Sequence, residues 1–217
     1  TDDTSIQPVT ATAISPNNRF IAYEQGRQLY VYDRGMNEQR QIDFVLSLID
    51  LEFREDNSLV TLSLEGGAVL IKAYPPELLV TGDVSYPYDG IRIEDLVFSG
   101  SYSGHPSPYA RLVTLSPNAN LIAVTHCNNI VSPFLDPVNC DERISSLVDT
   151  HTGEILTDLH SSLDFEGYHE SLVFCADGNY IAMNYCTDTL ATSWACTENQ
   201  GAIDIWHIAD IQDGQLD

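Results

Sequence analysis

The chain has 217 residues, a mass of 24.0 kDa and 43% hydrophobic content, enough for a sizeable buried core and too apolar for a disordered segment. Thirty-two acidic side chains face nine basic ones, for a formal net charge of -23, so nucleic acid and anionic membrane surfaces are disfavoured as partners. Basic proteins, cations or a salty medium are the natural complements, and a plain solubility role for the charge is the alternative to a dedicated cation site.

Residues 1–9 are polar and read as a tail or an edge strand. From there a nine-residue phrase recurs, beginning at Ile14, Phe53, Leu115 and Phe174. Each copy places an apolar residue, a polar turn centred on Asn or Asp, and an apolar pair. That is the pattern of a β-hairpin, because Asn, Asp and Gly accept positive φ at low cost. In the first unit the alternation predicts strands over Thr10 to Ser15, Arg19 to Glu24, Gln28 to Asp33 and Arg40 to Leu46. The second repeats the plan over Ile49–Phe53, Ser58–Ser63, Ala68–Ala73 and Leu78–Val84, with Pro75-Pro76 breaking the chain before its fourth strand. Residues 85–109 depart from the repeat and are rich in tyrosine, glycine and proline.

The third and fourth units share an excursion after their second strand, bracketed by cysteines. Cys127 follows Ile122, and Cys186 follows Ile181, by the same offset. Cys140 and Cys196 precede the third strands, expected over Ile144–Asp149 and Ala202–His207. Two bridges, Cys127–Cys140 and Cys186–Cys196, would each close the neck of a loop; four reduced thiols are the alternative. Zinc fits less well, since neither short Cys-x-x-Cys spacing nor paired histidines occur. If the bridges form, the compartment is oxidising, and an extracellular or periplasmic location follows. Cys175 shares a column with Ser15 and Ser116 and reads as a small buried filler.

No nucleophile elbow, phosphate-binding loop or dinucleotide fingerprint occurs. His160, Asp164 and His169 could ligate a metal, but a solvated loop is the simpler reading, and no metal site is assigned. His126 beside Cys127 would suit a Cys–His nucleophile only if that thiol is free. The stretch from Asp136 to Glu142 offers oxygen ligands for calcium without EF-hand spacing, so no cofactor is assigned and calcium is the weak alternative. No apolar run reaches the roughly 20 residues of a spanning helix, and membrane insertion is not expected.

The Ser-Pro-Asn phrase, Tyr30-Val-Tyr-Asp33, Ile203-Asp-Ile-Trp-His207 and the stretch from Leu147 to Glu154 resemble the WD40-like class of β-propeller repeats. Asp33 matches the second letter of that family's Trp-Asp signature, His207 replaces it after Trp206, and the Gly-His pair is missing. The resemblance implies an all-β propeller of about four recognisable four-stranded blades, complete or part of a larger propeller or assembly. Its blades would fall near 10–47, 48–109 with the insert at 85–109, 110–168 and 169–217, in one domain over 1–217. The fourth blade lacks an evident last strand. In such a propeller the two cysteine loops would open on one face and display Pro133, Phe134 and Leu135 from one loop, Leu190 and Trp194 from the other. The resulting expectation is a non-catalytic extracellular scaffold that binds a protein partner there or self-assembles. The alternatives are a structural subunit of a larger assembly and a propeller enzyme with a metal-dependent site in its central channel.

Overall fold

Four of the chain's turns are set by the same local chemistry. In the computed structural model, which describes residues 9–45, 47–65, 68–82, 90–93, 113–127, 143–159, 168–186 and 201–212, each repeated phrase forms a tight hairpin. Asn17, Asp56, Asn118 and Asp177 each accept, through Oδ1, the backbone N–H two residues on, at 2.9, 2.9, 3.2 and 3.0 Å. The next residue takes positive φ in every copy: Asn18 at 58°, Asn57 at 66°, Ala119 at 53° and Gly178 at 71°. A side-chain acceptor followed by a left-handed residue reverses the chain within four positions.

These turns join the strands into antiparallel meanders. Sheet 1 contains β1 (Val9–Ile14), β2 (Phe20–Gln25), β3 (Gln28–Asp33) and β4 (Glu38–Phe44), and sheet 2 contains β5 (Leu48–Phe53), β6 (Leu59–Glu65), β7 (Ala68–Tyr74) and β8 (Ile91–Ile93). Sheet 3 contains β9 (Val113–Leu115), β10 (Leu121–Cys127), β11 (Arg143–Asp149) and β12 (Ile155–Leu159). Sheet 4 has three strands among the described residues: β13 (Tyr168–Phe174), β14 (Tyr180–Cys186) and β15 (Gly201–His207). The all-β, four-sheet expectation holds.

One expected strand is a helix. Residues 76–81 form α1 (Pro76–Thr81), and the fourth strand of sheet 2 comes later, at β8. Proline at the first helical position has no N–H to lose, Glu77 sits favourably in the first turn, and Gly82 closes the helix at φ 65°. Leu78 and Leu79 are buried by this turn, which an extended chain would point to opposite sides. A second short helix, α2 (Ile208–Gln212), follows β15.

A pattern links these endings. The third strands finish at Asp33, Tyr74, Asp149 and His207, which pair with Phe20, Leu59, Leu121 and Tyr180 in one equivalent column. Asp33 accepts from the N–H groups of Gly35 and Met36, and Asp149 from those of His151 and Thr152. Where the column holds aspartate the chain turns at once into a fourth strand; where it holds Tyr74 or His207 a helix follows.

The chain divides into two compact units, residues 1–92 and 93–217. In the first, Ala13, Ala22 and Val31 of sheet 1 share a core with Leu51, Phe53 and Leu59 of sheet 2, and α1 adds its two leucines. In the second, Ala123 and Leu147 of sheet 3 share a core with Phe174, Ile181, Met183 and Trp206 of sheet 4.

Cys175 departs from its expected role, since its side chain is exposed. Ser15 and Ser116 in the same column are buried because each hydroxyl accepts the N–H five residues on, at 2.9 and 3.0 Å, and donates to Asn17 or Asn118. A thiol is a weak partner for both bonds, so this side chain has little reason to fold into the turn.

Candidate interaction face

The connection between second and third strands is short in the first two sheets and long in the other two. Gly26 and Arg27, at φ 63° and 65°, turn β2 directly into β3, with Gln25 opposite Gln28. In sheet 3, β10 ends at Cys127 opposite Arg143, and residues 128–142 lie between. In sheet 4, β14 ends at Cys186 opposite Gly201, and residues 187–200 lie between. The two excursions therefore leave from the corresponding end of two sheets in one unit.

Register also positions the necks of these loops. Opposed residues of antiparallel strands have Cα atoms about 4.5–5.5 Å apart, and a disulfide needs a Cα separation below about 7 Å. The ladder brings Cys127 opposite Arg143 and Cys186 opposite Gly201; in sequence Cys140 lies three residues before Arg143, and Cys196 five before Gly201. Cys140, Cys196, Pro133, Phe134, Leu135, Leu190 and Trp194 lie outside the described residues, as do His160, Asp164 and the stretch from Asp136 to Glu142. His169 stands on β13 opposite Tyr185, and His126 on β10 opposite Ile144.

The charged groups within the sheets are held structurally. Arg19 donates from Nε and Nη2 to the two oxygens of Asp33 at 3.1 and 2.8 Å. That pairing outweighs the carboxyl's burial and holds Asp33 below the usual carboxylate range. Asp43 of β4 accepts from Lys72 Nζ at 2.9 Å and from the Tyr74 hydroxyl at 2.6 Å, both on β7, so these three residues pin sheet 1 to sheet 2. Burial opposes the charge on Asp43, but the two donors outweigh it and its pKa falls; burial and the bond to Asp43 push the Tyr74 phenol up. Such a tyrosine keeps its proton, and the lowered Asp43 pKa makes that carboxylate a weak base, so the cluster acts as a clamp.

Glu52 is different. Burial, aided by neighbouring Asp50, raises its carboxyl to about 7. A channel enzyme would draw carboxylates and histidines from several sheets, whereas Asp50 and Glu52 both belong to β5. Among the described residues no three His, Cys, Asp or Glu side chains are grouped to hold a metal.

Sequence reasoning passed over the outward face of sheet 4. Val173, Tyr180, Ile203 and Ile205 are 53%, 41%, 66% and 66% exposed, while Trp206 is buried. The alternation Ile203-Asp204-Ile205-Trp206 carried the signal, because Trp206 and the two isoleucines must lie on opposite faces of β15.

This arrangement of antiparallel four-stranded sheets is similar to two solved structures. It matches the tricorn protease with a TM-score of 0.53 and 10% identity, over 96% of this chain and 17% of that one. It matches the β-propeller domain of the Trilobed protease from Pyrococcus furiosus, described as having an open velcro topology, with a TM-score of 0.52 and 14% identity, over 92% of this chain and 55% of that one.

The fold is that of a β-propeller.

The four sheets are thus its blades, and the chain spans little more than half of the propeller domain it matches. Identities this low establish the fold alone. No protein-family model matches the sequence, and no curated protein matches it.

Proposed function

We propose that this β-propeller is a non-catalytic, extracellular or periplasmic interaction scaffold whose blades are WD40-like and whose contact surface is the pair of loops 128–142 and 187–200. The observation that carries the reading is the matched departure of both loops from the ends of β10 and β14, at Cys127 and Cys186, where the equivalent connection of sheet 1 is a two-residue turn. Bridges Cys127–Cys140 and Cys186–Cys196 would restrict the loops before binding, so that Pro133, Phe134, Leu190 and Trp194 meet a protein partner at reduced entropic cost. Each bridge would add about 2–4 kcal/mol of stability in the chain-entropy account.

Two measurements test this. Intact mass of protein isolated without reductant should show loss of the four hydrogens of two bridges, and peptide mapping should link each cysteine to its own loop partner; four free thiols would remove the stapled-loop reading. Immobilised protein should then retain a binding partner from an extracellular protein fraction, and the double variant Phe134→Ala, Trp194→Ala should lose it while melting as the parent does. Equal retention by both proteins would place the contact surface elsewhere.

A further inference from the structure

We draw no further inference here: the strongest candidate, the outward face of sheet 4 that leaves Val173, Ile203 and Ile205 exposed, also carries His207 beside the Asp210 carboxylate, and nothing in the structure shows what covers it.

Discussion

Arg19, the residue just before β2, reaches Asp33 at the end of β3, with the guanidinium forked onto both carboxylate oxygens at 3.1 and 2.8 Å. The aspartate side chain is fully buried and the arginine is 41% exposed. Asp33 also receives the N–H groups of Gly35 and Met36, so one carboxylate joins a strand pair to the turn that starts the fourth strand.

Asp33→Ala strands those donors and should cost about 2 kcal/mol in denaturant unfolding. Asp33→Asn keeps a turn acceptor but loses the charge pair, and should cost about half as much. The native pKa lies below the ordinary 3.8, so this stability is present above pH 3.8 and is lost as pH falls through the lower, native value. The stability curve of the asparagine variant should therefore be flatter than the parent's on the acid side of 3.8. Parallel acid limbs would show that the pair is not formed in solution.

Tyr74 is 1% exposed and gives its hydroxyl to Asp43 beside Lys72, the chain's single lysine. Tyr74→Phe keeps the ring packed and removes one bond to a charged acceptor, for an expected loss of about 1–2 kcal/mol. Lys72→Met leaves Oδ2 of Asp43 with the phenol as its side-chain donor and should destabilise by a similar amount. The double variant should cost less than the sum of the two, because both donors serve one carboxylate oxygen. Strict additivity in the double-mutant cycle would contradict the shared clamp.

Glu52 predicts the opposite pH dependence. Its native pKa of about 7 exceeds the ordinary 4.5, so its favourable contribution is complete below 4.5 and disappears as pH rises through 7. Glu52→Gln carries no proton to lose. The variant should gain on the parent as pH rises from 4.5 to 7, and the difference should level off above that window. Denaturant midpoints at both ends decide this; a gap independent of pH would mean that Glu52 titrates normally.

Gly178 occupies the left-handed column at φ 71°, where an added Cβ would meet only Pro117 Cδ at an ordinary 3.6 Å. Gly178→Ala should thus pay for backbone conformation alone, about 1 kcal/mol. Ala119 shows that the turn tolerates this, because the third copy holds alanine there at φ 53°. A much larger loss on calorimetry would point to packing that the turn geometry does not contain.

What the sequence determined by itself was local. The hairpins depend on an Asn or Asp that hydrogen-bonds two residues ahead and on a neighbour that accepts positive φ, so they could be read from four copies of one phrase. The matched offsets of Cys127 and Cys186 were legible for the same reason, since both count from a hairpin fixed by its own residues. Tertiary structure decided the rest. Alternation made Ile203 and Ile205 opposite in face to Trp206, but the packing of sheet 3 against sheet 4 chose Trp206 for the core and left the isoleucines outside. Residues 76–81 became helix rather than strand because Leu78 and Leu79 had a core to enter together, a reward that no short window of sequence contains. Cys175 is exposed where Ser15 and Ser116 are buried, because burial in that column depends on two hydrogen bonds that a thiol makes poorly.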